Sequence, residues 1–246
     1  MAKQTITVNI GGIDVIFDIY IEKRKSVRLA FGKSTIIVRI PSFLSRKEQD
    51  IHFKKGVEWV KRKAKNNLSI LDKYILKDYD EQTHFLIYGR RINMDIGYGM
   101  RVTGSAKYDK YTESIDLVLP IDIEGNDKNK MIVTLLSRVC AKIFKPDIER
   151  KVAEFNEKWF NKDIKSVNLK YNTSNWGSCS SKNNINLSTR LLFAPMDVID
   201  YVIIHELTHL IEMNHSKKFW DIVQKVMPDY KEKEAWLDAN SSSCYF

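Results

Sequence analysis

His205-Glu206-Leu207-Thr208-His209, set within the apolar run Tyr201-Val-Ile-Ile204 and Leu210-Ile211, is the stretch from which the chain is read. On an α-helix, residues i and i+4 lie on one face, so His205 and His209 present two imidazoles to a common point. Glu206 stands beside His205, where its carboxylate reaches a water held at that point. Two imidazoles and an adjacent carboxylate at this spacing are what metal-assisted hydrolysis needs: nitrogen ligands for the ion and a general base for the water.

A catalytic ion of this kind takes three protein ligands and keeps one open position. His215, Glu212 and Glu234 are the candidates for the third. His215 lies six residues past His209, and a continuous helix turns about 600° over that distance, which points it away. The helix must therefore stop. Asn214 tolerates the left-handed backbone of a helix end. Ser216 is placed to cap a following helix over Lys217–Met227, with Phe219, Ile222, Val223 and Val226 on its apolar side. Three of the five histidines of the chain fall in this short segment.

Outward from this point, two kinds of periodicity divide the chain. Towards the N-terminus, Thr5–Ile10 and Ile13–Ile19 alternate around Gly11-Gly12. Ser26–Phe31 and Ser34–Ile40 alternate around Gly32-Lys33, and Pro41 ends the run. Ser45 with Glu48 is a capping box that opens a helix to about Lys65. Phe85–Tyr88 and Arg91–Ile96 form another hairpin, turned at Gly89-Arg90, and Ser114–Leu119 is a further strand. The polar stretch Glu124–Lys130 is the expected boundary. Beyond it, Met131–Phe144 has helical spacing, as do Ile148, Val152, Phe155 and Trp159, with Lys145-Pro146 between them. Ile164–Tyr171 and Asn184–Ser188 read as strands and Pro195-Met-Asp197 as a helix start. Asp229 with Glu232 reads as a capping box for a last helix. No repeat of solenoid length is visible. The order implies an α+β fold: a β-rich N-terminal region with one helix over 1–125, and a domain over 126–246 whose helix bearing the histidines lies beside a small sheet.

The 246 residues carry 43% apolar and 29% charged side chains, enough for a folded core and too many for a disordered chain. No apolar run approaches the ~20 residues of a membrane span. The start, MAKQTITVNIGG, lacks the apolar segment of a secretion signal. Three cysteines, at 140, 179 and 244, form no C-x-x-C pair, which favours a reducing, cytoplasmic setting over a disulfide framework. The net charge is +9, and residues 1–100 hold 19 Lys/Arg against 11 Asp/Glu. Lys23-Arg24-Lys25, Arg28 and Lys61-Arg-Lys63-Ala-Lys65 are the basic patches, which suit a nucleotide or nucleic acid.

His205-Glu-Leu-Thr-His209 followed by Leu-Ile-Glu-Met-Asn-His215-Ser-Lys-Lys-Phe-Trp220, with Trp176-Gly-Ser-Cys179 upstream, Asn186-Leu-Ser-Thr-Arg-Leu191 between and Met227-Pro-Asp-Tyr230 after, resembles the YgjP-like metallopeptidase family, a relative of the SprT-like and WLM zincin metalloproteases. The resemblance implies a cytoplasmic zinc-dependent hydrolase with one Zn²⁺ per chain held by His205, His209 and His215, and Glu206 as general base. Other divalent ions suit imidazole sites as well. Zincins bind extended peptide or protein substrate along an edge strand beside the active-site helix, which here makes Trp176, Gly177, Ser178 and Arg190 the substrate-side candidates. Cys179 reads as a structural thiol, Asn186 and Arg190 as groups that orient the site or stabilise an oxyanion, and Tyr230 as a further oxyanion candidate. The family label also leaves room for a nucleoside triphosphate pyrophosphatase acting on UTP-like substrates, and the relatives for a DNA-associated SprT-like protease.

Overall fold

The structure, a computed structural model, describes residues 2–32, 35–65, 70–71, 74–75, 79, 84–241, 243–244 and 246. The fold is α+β, with five α-helices and three small sheets among these residues. The chain forms two compact units, Met1–Asp78 and Tyr79–Phe246.

In the first unit, β1 (Ala2–Ile10), β2 (Ile13–Glu22), β3 (Arg28–Phe31) and β4 (Ile36–Pro41) form a sheet of order β1-β2-β4-β3. β2 and β4 are parallel and the outer pairs antiparallel. The alternation seen in the sequence buries Val15, Phe17, Ile36, Val38 and Ile40 on one face. There they meet Val57, Val60 and Ala64 of α1 (Arg46–Ala64). Ser45 caps α1 as expected: its hydroxyl accepts from the Glu48 amide, and the Glu48 carboxylate accepts from the Ser45 amide at 2.8 Å. The strand start expected at Ser34 and the Lys33 half of its turn lie outside the described residues.

The second unit opens with the same path. β5 (His84–Ile87), β6 (Arg90–Gly99), β7 (Ser105–Asp109) and β8 (Ser114–Pro120) take the order β5-β6-β8-β7, and α2 (Gly125–Phe155) follows. Registers coincide pair by pair. Ile10 faces Ile13 as Ile87 faces Arg90, Phe17 faces Ile36 as Met94 faces Ile115, and Arg28 faces Arg39 as Ser105 faces Val118. Both first hairpins turn on two left-handed residues, Gly11-Gly12 and Tyr88-Gly89, as a two-residue turn requires. The inward positions also coincide: Val15, Phe17, Ile36, Val38 and Ile40 correspond to the buried Ile92, Met94, Ile115, Leu117 and Leu119. The chain thus uses one ββββα module twice, a repeat the sequence pattern did not reveal.

The boundary expected at Glu124–Lys130 falls within the second unit, where Glu124 is the N-cap of α2. The apolar face of α2 explains why. Ile132, Leu136, Cys140 and Phe144 share one core with Ile92, Ile115 and Leu117 on one side and with Ile199, Ile203 and Leu207 on the other. Strands 84–120 and the later helices are therefore inseparable. The break expected at Lys145-Pro146 is also absent: α2 runs through Pro146. Buried Phe144 and Ile148 on either side of it keep the helix on the core, which outweighs the roughly 3 kcal/mol that an interior proline costs.

After a single wide turn at Asn156–Phe160, β9 (Ser166–Lys170), β10 (Gly177–Cys179) and β11 (Asn184–Ser188) form the third sheet, of order β10-β11-β9. A tight turn at Thr189–Phe193 leads into α3 (Met196–Thr208), α4 (Lys217–Val226) and α5 (Tyr230–Asn240). Asp229 does not make the expected capping bond. Its carboxylate instead pairs with Lys233 at 3.0 Å, and Lys233 also reaches Asp197 at 2.8 Å. All three cysteines are free, and no described helix is long and apolar enough to cross a membrane. Replacing Pro146 with Ala restores one amide donor inside α2. Pro146→Ala is expected to raise stability by about 1–3 kcal/mol in urea unfolding; a lower midpoint would show that the proline ring is itself required there.

Candidate metal centre

α3 is held from several sides before it delivers its histidines. Pro195 precedes it, Asp197 lies in its first turn, and Val198, Ile199, Val202, Ile203, Ile204 and Leu207 are buried. Asp200 on α3 pairs with Lys151 on α2 at 2.7 Å. The helix ends at Thr208, earlier than Asn214. The Thr208 hydroxyl donates back to the Ile204 carbonyl at 2.8 Å, and the amides of Leu210 and Ile211 bond three residues back, tightening the last turn. Ser216 then caps α4 by accepting from the Phe219 amide.

This reversal brings His215 back over His205 and His209. His215 Nε2 lies 3.0 Å from His205 Nε2. One ring nitrogen from each of the three histidines falls within 4.8 Å of the others. The ring centroids form a near-equilateral triangle of 5.0, 4.9 and 4.8 Å sides. The fully buried Phe219 ring sits 4.7–4.8 Å from all three and forms the floor. Behind His215, Trp220, Tyr230 and Tyr201 stack in series.

The donor set fits a metal ion. A tetrahedral ion with nitrogen bonds of about 2.1 Å spaces its ligands by roughly 3.4 Å, and the His205 and His215 nitrogens lie 3.0 Å apart with all three within 4.8 Å. Metal ligands must be neutral imidazoles, and burial, reinforced by the neighbouring rings, pushes His205 down to about 3. Burial lowers His209 too. His209 Nδ1 lies 3.2 Å from the Glu212 carbonyl; donation along that bond leaves Nε2 free to ligate. The other third-ligand candidates are elsewhere. The Glu212 carboxylate turns to Lys218 at 3.6 Å, and Glu234, on α5, lines the cavity outside the histidine cluster.

Glu206 is 4% exposed, and its Oε2 has no hydrogen-bond partner among the described residues. Burial pushes this carboxyl up to about 8. It lines the same cavity of about 520 Å³ as the three histidines, together with Trp176, Gly177, Ser178 and Cys179. Gly177 is packed against it: a Cβ there would lie 2.5 Å from Glu206 Oε1 and 2.8 Å from Cδ. Among the described residues β10 pairs with β11 alone, so its outer edge is unpaired beside the cavity.

Arg190 is placed apart from this group. It is buried, and its guanidinium donates to the backbone carbonyls of Cys244 (2.9 Å), Thr173 (3.3 Å) and Ser241 (2.6 Å) while lying 4.3 Å over the Trp176 ring. It ties the C-terminal segment to the loop before β10. Tyr230 is buried in the aromatic stack, and Tyr201 takes the cavity wall instead. Asn186 bonds the Ser178 hydroxyl at 3.3 Å. Burial, then the Glu206 charge, pushes the Cys179 thiol up to about 11, which suits an inert thiol. Sequence reasoning missed Tyr201, Met213 and Asp238, which also line the cavity. Only Tyr201 carried a signal, four residues before His205 on the same helical face.

Gly177→Ala is expected to displace Glu206 while leaving the three histidines in place. The outcome is a variant that binds metal like the parent but loses hydrolysis by about 10²-fold or more, measured as metal content beside turnover. Undiminished turnover would show that the carboxylate does not need this packing.

The profile of the YgjP-like family, described as a metallopeptidase domain, matches residues 25–240. Similar solved structures include two metallopeptidase zymogens. Abylysin of Pyrococcus abyssi shares 25% identity over 37% of this chain and 90% of its own, with a TM-score of 0.34. Jannalysin of Methanocaldococcus jannaschii shares 22% identity over 37% of this chain and 94% of its own, also at 0.34. A search of curated proteins found no match. The matched span takes in every residue of the histidine triad, Glu206 and the strand against it, and the chain belongs to the YgjP-like metallopeptidase family.

Proposed function

We propose that the chain is a zinc-dependent peptidase whose ion is held by His205, His209 and His215 and whose general base is Glu206. The observation that carries this reading is the convergence of three imidazoles beside a buried Glu206 whose Oε2 has no hydrogen-bond partner among the described residues. An ion bound there supplies Lewis acidity, polarising a carbonyl and acidifying water.

The residues of the chain supply the rest. His209 is oriented by the Glu212 carbonyl. Glu206 would be held in its ionised form, the form that takes a proton, beside a cation bound by the three histidines. Gly177 fixes that carboxylate from behind, so it collects the proton from the attacking water and passes it to the leaving amine. The free edge of β10 offers backbone groups to an extended peptide, which would lie across the mouth of the cavity as an added strand. Ser178, exposed on β10, faces that peptide.

Glu206→Gln is expected to keep the metal and the fold but to abolish peptide hydrolysis. Retained hydrolysis at full metal occupancy would remove Glu206 from the role.

The wall that α5 gives to the cavity bears Glu234 and Asp238, one turn apart, with no cationic partner among the described residues. This wall disfavours a triphosphate in the cavity and favours a cationic substrate side chain. Peptides with Lys or Arg near the scissile bond are expected to be cleaved roughly tenfold faster than those with Glu, and Glu234→Gln with Asp238→Asn is expected to erase that ratio. An unchanged ratio in the double variant would place the selectivity elsewhere.

A further inference from the structure

The two copies of the ββββα module allow an internal comparison. They share strand order, register and buried positions, so what folding requires of one is visible in the other. Their net charges differ. Residues 1–78 hold 17 Lys/Arg against 8 Asp/Glu, and residues 79–246 hold 23 against 23. The whole net charge of +9 therefore belongs to the first unit.

Part of that charge gathers on the sheet face turned away from α1. Arg39 lies opposite Arg28 in the β3–β4 register and opposite Tyr20 in the β2–β4 register. Arg24, Arg28 and Arg39 line one cavity of about 460 Å³, together with Glu22. Glu22 accepts from Arg39 at 3.1 and 3.0 Å and from Arg24 at 3.1 Å, which orients both guanidiniums. Arg28 is exposed and has no acidic or hydrogen-bonding partner among the described residues. Three guanidiniums face one carboxylate, leaving an excess of two positive charges. The Arg39 guanidinium lies 4.8 Å over the Tyr20 ring, so a flat, cationic and aromatic surface adjoins the cavity.

The second copy does without this cluster. At the positions of Glu22, Arg24, Arg28 and Arg39 it has Gly99, Arg101, Ser105 and Val118, and its single arginine is spent on the Ser105 hydroxyl at 2.9 Å. Tyr20 corresponds to Gly97. The same fold thus forms with neither Arg28, nor Arg39, nor the aromatic ring, and the first copy carries them for something other than folding.

We propose that the outer sheet face of the first module is a binding site for single-stranded nucleic acid, with phosphate groups held by Arg24, Arg28 and Arg39 and a base laid against the Tyr20–Arg39 platform. Guanidiniums match phosphate oxygens in pairs. An open sheet face with an aromatic ring takes unpaired bases, whose faces a duplex keeps stacked away. The +9 charge of the unit draws a polyanion towards it. The site is independent of the peptidase reading, since it uses none of the metal-centre residues.

The test is fluorescence anisotropy of the full chain with labelled oligonucleotides of about 20 nucleotides, single-stranded and duplex, over a range of salt concentrations. Arg28→Ser with Arg39→Val places in the first copy the residues that the second copy folds with. The expected result is single-stranded binding that weakens tenfold or more in the double variant, with a salt slope shallower by about 1 to 1.5. Lys54→Gln with Lys55→Gln, on the exposed side of α1, is expected to weaken binding less. Arg28→Ser alone, at an exposed side chain without a partner, repeats the test where folding is not at issue, with the melting temperature as control. Four results overturn the proposal: no binding at low salt, equal affinity for duplex, undiminished binding in both arginine variants, or a larger loss in the lysine pair.

Discussion

The structure depends on one chain reversal. α3 must end immediately after His209, and the backbone must double back within six residues to return His215 to the face that His205 and His209 share. Short-range backbone bonds close the end of α3, and Ser216 starts α4 in the new direction. Phe219, one turn into α4, then fills the space beneath all three imidazoles. Were α3 to continue, the third imidazole would point away and only two would face one point. The apolar contacts of α3 and α4, and the ion pairs that tie α3 to α2 and α5, position this reversal.

The buried carboxylate sets a second constraint. A carboxylate that is 96% buried without a hydrogen-bond partner is costly, by several kcal/mol in general terms, and a fold selected for stability alone would replace it. The cost is understandable if an adjacent cation compensates it. Gly177 carries the same message from the strand side, because any side chain there would occupy the space of the carboxylate. The end of α3 with its carboxylate and the glycine of β10 come from separate segments, and both serve one point in space.

The convergence of the three histidines was largely legible in the sequence because its information is local. The i, i+4 spacing, the helix stop and the Ser216 cap lie within a dozen residues, and helix geometry converts them directly into positions. The first sheet and α1 were legible for a similar reason, through alternation and the Ser45 capping box. The domain boundary was not. Glu124–Lys130 has the composition of a linker, and only the long-range packing of Ile132, Leu136 and Phe144 shows that it starts a helix within one core. Pro146 misled in the same way, since tertiary burial overrode a local preference. Arg190 looked like a group for substrate, and only the distant Cys244 and Ser241 carbonyls show what it holds. The module repeat escaped because what is repeated is register and burial. Few identities survive besides Ile10 and Ile87, Gly12 and Gly89, Asp18 and Asp95, and Pro41 and Pro120. β7, with two charged residues in five, carried almost no apolar alternation to find.

The central claim is that His215, returned by the reversal, completes a three-imidazole metal site. Metal content by mass spectrometry on untagged protein, parent beside His215→Ala, tests it most directly. About one zinc per chain, sharply reduced in the variant, is the result this account predicts. Full occupancy in His215→Ala, or no metal in the parent even after zinc is supplied, would contradict it.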